Sequence, residues 1–484
     1  MKFSSKYMPP DEVKKIKEEV LKREKPRRED YEKAYNIYRE IKRKIEKGLK
    51  ENNVEGEVVM VGSIAKDTWL KGDRDLDIFV LFDPSLGKDF IEKEGFEIIK
   101  KYAPKPFEEQ YAEHPYIRAE IKGFEVDIVP CFKVDDPSKI ISAVDRTPFH
   151  TRYVLDHIKE QQKDEVRVLK RFLKGIEAYG AEIKIEGFSG YLAELLILNY
   201  GTFENCLMEV TKWRPWKIVI DIEGYWNPKE AIRKFKSPLI VIDPVDPNRN
   251  AAAAVSLQKL SEFISAARFF LKRPTIKMFY PPDIGKISRE EIEHILKERE
   301  TDIIIVSFKP PRLPPDILWG QLKRSLRAIR KLLEIWDFKI IDAYAWSNDR
   351  DKAFFAFELE RVELPIMKKH VGPPIVKEEN EEMFIRKYIS NEKVLAGPRI
   401  EGSRWVVFIK RKHKHAKELL LKRIWEAGVS KDIMQALKGS MEVLVNQEVS
   451  KLLIDEEYSK ALARFISKIP RWLLAVHEGE GRCT

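Results

Sequence analysis

The sequence predicts an α+β multidomain protein, and three observations carry that expectation. The chain has 484 residues, more than one hydrophobic core organises, so two to four domains are expected. Short runs alternate apolar and polar residues in the first third (73–81 and 123–130) and again in a β-α-β-β order over 302–361. Between them, residues 151–272 carry apolar residues mostly at helical spacing, which separates a helical middle from two mixed ends.

Taken in chain order, the segment 29–50 places Tyr31, Ala34, Tyr35, Ile37, Tyr38, Ile41 and Ile45 near one helical face. A strand is expected at 57–61, and Gly62-Ser63 then turns into a short helix running through Trp69. Residues 162–179 form an amphipathic helix with Val166, Leu169, Leu173 and Ile176 inward and Gly180 at the C-cap position. A buried helix at 187–200 follows, then one at 251–272 after the turn Asp243-Pro244-Val245-Asp246-Pro247-Asn248. Tyr280-Pro281-Pro282 marks a boundary. Beyond it, a strand at 302–308, a basic helix at 317–335 and strands at 338–346 and 353–361 suggest a ferredoxin-like or RNA-recognition-type half. Another strand is expected at 404–410. The expected domains are 1–150, 151–275 and 276–484.

Composition narrows the classes. Hydrophobic residues make up 43% and charged residues 35%, so the chain folds with a heavily charged surface. No apolar run reaches the roughly 18 residues needed to span a bilayer, and the N-terminus has no apolar signal core. The three cysteines (Cys131, Cys206 and Cys483) are far apart and form no CxxC pair. That speaks against a disulfide framework or zinc site and for a reducing cytoplasm. The excess of 89 Lys and Arg over 79 Asp and Glu, net +10, favours a polyanionic partner. Abundant Lys and Glu with scarce Cys point to a thermophilic source.

The chemistry-bearing residues begin with three carboxylates. Strand side chains alternate, so Asp75 and Asp77 share one face, about 6.5–7 Å apart, while Leu76 and Ile78 face the core. Asp127 lies in a similar strand among Phe124, Val126 and Ile128, and joins the pair if the strands are neighbours. Such a cluster brackets one or two Mg²⁺ ions for attack of a hydroxyl on a nucleotide phosphate. An Asp-x-Asp triplet alone more often describes the solvated face of an edge strand, and glycosyltransferases use one to hold a metal and a sugar nucleotide. Gly62-Ser63, after a strand and before a helix, adds free N–H groups and a hydroxyl suited to phosphate.

Gly-Ser, then Asp-x-Asp, then a distal Asp resembles the nucleotidyltransferase superfamily of DNA polymerase β. Six segments sharpen this. They are Val61–Asp77, Phe124–Pro130, Arg146–Thr151, Leu169–Gly175 with Tyr179-Gly180, Gly187–Tyr191 and Asp243–Asn250. In that order they resemble the archaeal, class I CCA-adding enzymes, over about residues 30–275 and more weakly to the end. The resemblance implies a polymerase β-like catalytic domain, a helical central domain completing the nucleotide pocket, and a C-terminal domain holding the acceptor stem and TΨC arm of tRNA. It implies template-independent addition of C, C and A to tRNA from CTP and ATP, and repair of damaged ends. It places catalytic, metal-binding roles on Asp75, Asp77 and Asp127. Nucleotide contacts fall on Gly62, Ser63, Lys66, Thr147, His150, Lys170, Tyr179 and Arg249.

On the residues themselves, Lys170 and Lys174 lie one turn apart on the polar side of their helix, in reach of phosphates or else on a solvated basic face. Arg249 offers a donor fork for the Watson–Crick edge of cytosine or for phosphate, or equally a cap for the Pro-rich turn. In the C-terminal third, Lys323, Arg324, Arg327, Arg330 and Lys331 share a helix, and Lys410, Arg411, Lys412, His413, Lys414, His415 and Lys417 form a second basic run. Trp319, Trp336, Tyr344, Trp346 and Trp405 lie nearby, a mixture suited to RNA backbone contact and base stacking, or else to a core with solvated lysines. Other readings are a poly(A) polymerase or oligoadenylate synthetase relative, and a non-catalytic RNA-binding protein. Oligomeric state is open, with a homodimer among the expectations.

Overall fold

A computed structural model of the chain describes residues 10–111 and 114–477. Cys483 and the first nine residues lie outside the described residues. The chain forms two compact units, one running to Asp283 and resumed from Pro470, the other Ile284–Ile469.

The first unit begins with helices α1 (Pro10–Glu24) and α2 (Arg28–Glu51) and strand β1 (Gly56–Val61). The expected helix at Gly62 is a single turn, α3 (Gly62–Ala65), not a run to Trp69. Asp67 takes a positive φ of 55°, and the chain leaves the helix to reach β2 (Asp75–Phe82). Short α4 (Gly87–Phe90) and α5 (Phe96–Tyr102) lead to β3 (Glu108–Tyr111), β4 (Pro115–Ile121) and β5 (Phe124–Phe132). The five strands form one sheet in the order β1-β2-β5-β4-β3. Only β2 and β5 run parallel. Leu76, Ile78 and Val80, with Val126 and Ile128, face a core shared with Ala34, Ile37, Ile41 and Ile45 of α2. Strand parity therefore sends Asp75, Asp77, Glu125 and Asp127 to the opposite face.

Helices α6 (Arg146–His157), α7 (Glu160–Gly175), α8 (Gly190–Tyr200) and α9 (Phe203–Val210) follow. A small parallel pair, β6 (Ile218–Ile220) and β7 (Leu239–Val241), flanks α10 (Pro228–Phe235), and α11 (Leu257–Lys272) closes the series. Their core centres on Phe172, whose ring meets those of Phe203, Phe270 and Phe279 at 5.4–5.5 Å. Three expectations shift. α7 ends at Gly175 rather than before Gly180, because the backbone of 178–180 pairs instead with 187–188: Phe188 N–H donates to Ala178 and Gly180 N–H to Phe188. α8 starts at Gly190, where the Ser189 hydroxyl caps the Leu192 N–H at 3.1 Å. α11 starts at Leu257, capped by Ser256.

The second unit contains α12 (Arg289–Arg299), β8 (Asp302–Phe308), α13 (Pro315–Ile335), β9 (Ile340–Ser347) and β10 (Ala353–Leu359). Next come β11 (Met367–Pro374), α14 (Glu378–Tyr388), β12 (Val394–Glu401) and β13 (Arg404–Lys410). The unit ends with α15 (Ala416–Arg423), α16 (Lys431–Ser440), β14 (Glu442–Val445) and α17 (Glu456–Ser467). The main sheet has the order β14-β8-β10-β9, all antiparallel. That is the split βαββαβ arrangement, with the three-stranded sheet β11-β13-β12 inserted after its third strand.

Both faces of the main sheet are covered: α13, α15 and α16 pack on one, α12 and α17 on the other. The half is ferredoxin-like, but it has no open face for stacking bases as an RNA-recognition sheet has. Tyr344 stacks on Phe465 of α17 at 5.9 Å and Trp346 on Phe354 at 5.4 Å. Trp319 donates to Asp349 at 2.6 Å and Trp405 to Glu381 at 2.7 Å. Trp336 meets His413 at 4.8 Å. These aromatics hold the unit together. Finally α18 (Arg471–His477) returns to the first unit, where Trp472 joins the helical core. Among the described residues no helix is long and apolar enough to cross a membrane.

Candidate active site

The polar face of the first sheet is organised by the parallel register of β2 and β5, which sets Asp75 opposite Glu125 and Asp77 opposite Asp127. Four carboxylates thus share a patch three residues long on two adjacent strands. Burial, reinforced by Asp127 and Asp75, pushes the Asp77 carboxyl up to about 7. Asp75 is raised by burial and by Asp73, and Glu125 by burial. A group of carboxyls that resists ionisation is one whose negative charge is undercompensated. That is the electrostatic condition a divalent cation satisfies.

Arg118 of β4, the cross-strand partner of Asp127, supplies a close positive charge. It donates to both oxygens of Asp127, Nε to Oδ1 at 2.8 Å and an Nη to Oδ2 at 2.7 Å, and lies 3.0 Å from Glu125. Among the described residues no three Asp, Glu, His or Cys side chains are preassembled around one point for a metal ion. Asp127 faces Arg118 instead. Mg²⁺ takes much of its shell from water and phosphate, so this donor set fits such an ion once Asp127 exchanges its partner.

Gly62 is tied to this patch. Its φ is +77°, and a Cβ built there would sit 2.1 Å from Asp77 Oδ2. Only glycine permits both the left-handed backbone and the approach. The Gly62 N–H donates to Thr151 Oγ1 at 3.3 Å, and that hydroxyl donates to the carbonyl of Thr147 at 3.0 Å. Thr147, in the first turn of α6, is therefore one link from Gly62.

The loop from Lys66 to Arg74 is fixed by α7. Arg167, buried, donates to the Asp67 carbonyl at 2.7 Å, to the Trp69 carbonyl at 3.1 Å, and pairs with the Asp67 carboxylate. Lys174 pairs with Asp73. Lys170 is also on this docked side: it is 1% exposed, where the sequence places it on a polar face. It donates to the Thr68 carbonyl at 3.1 Å and to Thr68 Oγ1 at 3.2 Å, with Glu194 at 3.4 Å. The polar stripe of α7 meets another part of the chain, not solvent. Lys66 is buried as well and donates to Glu194 at 2.5 Å.

Gly62, Ser63, Lys66, Asp75, Asp77, Asp127, Lys170 and Tyr179 all line one cleft, with Arg118, Glu125, Gly190, Tyr191 and Glu194. Tyr179 takes a cation–π contact from Lys174 at 5.2 Å, and burial raises its phenol above the ordinary value. His150 and Arg249 stand behind the cleft wall, joined by Asp243. His150 Nε2 is 2.8 Å from Asp243 Oδ2 and Arg249 donates to the same oxygen at 2.7 Å. The Tyr191 hydroxyl donates to Oδ1 at 3.0 Å and its ring stacks on His150 at 4.0 Å. Burial alone would raise Asp243, but the His150 contact, the Val245 N–H and Arg249 hold it down at about 2. Burial pulls His150 below its usual value against the pull of Asp243.

Several groups here were not among the candidates read from the sequence, Tyr191 among them. Glu125 follows from strand parity once Asp127 is chosen. Glu194 carries a signal, a single charge in the apolar run Leu192–Leu198, since an unpaired buried charge is avoided. Asp243 reads as an ordinary pre-proline turn residue. Arg118 has no local signal, because its role comes only from pairing with β5.

Comparison with known proteins gives three family matches along the chain: a nucleotidyltransferase domain over residues 42–150, the second domain of tRNA nucleotidyltransferase over 164–280, and the C-terminal domain of CCA-adding enzyme over 299–446. A CCA-adding enzyme of Methanothermobacter thermautotrophicus is 38% identical over 82% of this chain and 85% of that protein. One from Methanoregula boonei is 40% identical over 85% of this chain and 87% of that protein. One from Saccharolobus islandicus is 36% identical over 95% of this chain and all of that protein.

Proposed function

The chain belongs to the CCA-adding enzyme family, the tRNA nucleotidyltransferases, and from that membership we infer how its cleft adds C, C and A to the 3′ end of tRNA and repairs damaged ends. The substrates are tRNA with CTP and ATP, and no nucleic-acid template is used. The terminal hydroxyl of the RNA attacks the α-phosphate of the nucleotide. Its oxygen forms the new phosphodiester bond, its proton leaves, and the bond to pyrophosphate breaks. The observation that carries this reading is the β2–β5 register, which sets Asp77 beside Asp127 with the Gly62 backbone against Asp77.

Asp75, Asp77 and Asp127 would hold Mg²⁺, two ions by the family's chemistry, which would supply charge stabilisation for the entering and leaving oxygens. The backbone at Gly62-Ser63 and the Ser63 hydroxyl meet the triphosphate. Lys66 and Lys170 give the adjoining wall its positive charge. Tyr179 bounds the nucleotide, and Thr147 supports Gly62 through Thr151. Asp243 aligns His150, Tyr191 and Arg249. Arg249 keeps 37% of its side chain exposed and so has donors left for a base edge or a phosphate. Residues 1–150 would carry catalysis and 151–275 complete the pocket. The basic helix α13 and the run from Lys410 to Lys417 would meet the acceptor stem and TΨC arm.

Incubating the protein with tRNA lacking its 3′ CCA and one labelled nucleotide at a time tests this. Two residues should enter from CTP alone, and one from ATP only after them. Long A-tails or no incorporation from CTP would overturn the reading in favour of a poly(A)-type transferase. Asp77→Ala should abolish incorporation and leave tRNA binding intact.

A further inference from the structure

Glu194 is the only charged residue in the apolar run of α8, and it is fully buried. A buried carboxylate is tolerated only when its charge and lone pairs are met. Three groups from two other segments meet this one. Lys66 Nζ donates to Oε2 at 2.5 Å, Thr68 Oγ1 donates to Oε1 at 2.5 Å, and Lys170 Nζ lies 3.4 Å from Oε1. Lys66 and Lys170 come from segments 104 residues apart in sequence, and one carboxylate holds both. Lys66, Lys170 and Glu194 border the cleft that contains Asp75 and Asp77.

We infer that Glu194 is a positioning residue for nucleotidyl transfer: it gathers Lys66 and Lys170 at one side of the cleft for the incoming triphosphate and keeps Lys170 charged there. This rests on the proposal that the triphosphate binds in this cleft. The reason is electrostatic. Burial and the ammonium group beside it both disfavour the charge on Lys170, and a shared anion opposes them. Burial already pulls Lys170 down to about 8, with Lys66 pushing the same way and Glu194 and Asp73 opposing. The same two lysines hold Glu194 below the usual carboxylate range despite its burial. The other titratable groups facing the pair are Asp77 and His150 on the side of Lys66, and Tyr179 and Tyr191. None of them is a buried carboxylate in contact with both lysines.

The sign follows. A lysine with a depressed pKa is charged below that value and loses its charge as pH rises through it. Removing Glu194's charge moves that loss to lower pH. The test is kcat/KM for CTP on tRNA lacking its CCA, from pH 6 to 9.5, with full-length wild type and Glu194→Gln. The alkaline limb should fall by about one pH unit, giving a roughly tenfold loss above it, with activity recovering toward wild type at pH 6. The loss should appear mainly in KM for CTP. Glu194→Asp should leave the limb in place. Lys170→Arg added to Glu194→Gln should raise the limb again, since a guanidinium does not titrate in this range.

A folded Glu194→Gln protein with an unmoved limb, or with an equal loss at every pH, overturns the inference. Should Glu194→Gln fail to fold, CTP binding decides: wild type should weaken above about pH 8 and Lys170→Arg should not. Equal pH dependence of the two overturns the inference. A wild type that adds no CMP at any pH is a separate result, which removes the transfer reading itself.

Discussion

Replacing Gly62 by alanine separates the cost to the fold from the cost to the chemistry. Two effects act at this residue. At φ +77° an L side chain pays left-handed strain, about 1–2 kcal/mol. That corresponds to a fall in Tm of a few degrees in a unit of this size. The second effect is steric. The new methyl carbon would lie 2.1 Å from Asp77 Oδ2 and 3.1 Å from its Cγ, where ordinary contact begins near 3.4 Å. The carboxylate must retreat by roughly 1 Å, and a displacement of that size at a reacting group costs about a hundredfold in rate. The measurement is single-turnover CMP addition beside thermal unfolding, for wild type, Gly62→Ala and Gly72→Ala. Gly72 precedes the same strand, has no atom within 4 Å of an added Cβ, and serves as control. Gly62→Ala should lose about a hundredfold in rate while still folding, and Gly72→Ala should stay near wild type. A Gly62→Ala enzyme within about threefold of the wild-type rate would refute the reasoning, because Asp77 would then tolerate the movement.

Four further outcomes follow from the same geometry. Asp77, raised to about 7, must lose its proton to hold a cation, so Mn²⁺ affinity should fall by up to about tenfold per pH unit below 7; equal affinity at pH 6 and 8 would contradict this. Arg118→Met removes the group that occupies both oxygens of Asp127, and Mn²⁺ affinity at pH 8 should rise about threefold, a small effect because Arg118 is partly exposed; calorimetric titration reads it. Asp243, held at about 2 against an ordinary 3.8, contributes about 2 kcal/mol that is complete above pH 4 and lost as pH falls through 2; the stability gap between wild type and Asp243→Asn should therefore narrow between pH 5 and pH 2.5 in denaturant titrations. Trp346→Phe should leave tRNA affinity unchanged, since Trp346 packs on Phe354 and Tyr458; a tenfold loss in a filter-binding assay would return that ring to the RNA.

The parts legible in the sequence share a property. They depend on period or on immediate neighbours. Alternation alone puts Asp75 and Asp77 on one face with Leu76 and Ile78 on the other. The strand-turn at Gly62 and the β-α-β-β order from Asp302 to Leu359 are likewise local patterns. What period leaves open is what a face meets. The polar stripe of α7 is correctly periodic, yet Arg167 and Lys170 on it are buried, because the loop from Lys66 to Arg74 lies against them. The ferredoxin-like sheet is correctly ordered, yet α12 and α17, from either end of the unit, close the face that would otherwise stack bases.

The sequence therefore marked Gly62, Asp75, Asp77 and Asp127 as candidates for one kind of chemistry. Tertiary structure decided that β2 and β5 lie side by side and in parallel, that Arg118 sits on Asp127, and that Glu194 and Asp243 each gather side chains from distant segments. The physical reason is range. Backbone sterics and side-chain alternation act over a few residues, whereas charge pairing and burial act between any groups the fold brings within a few ångströms, whatever their separation along the chain.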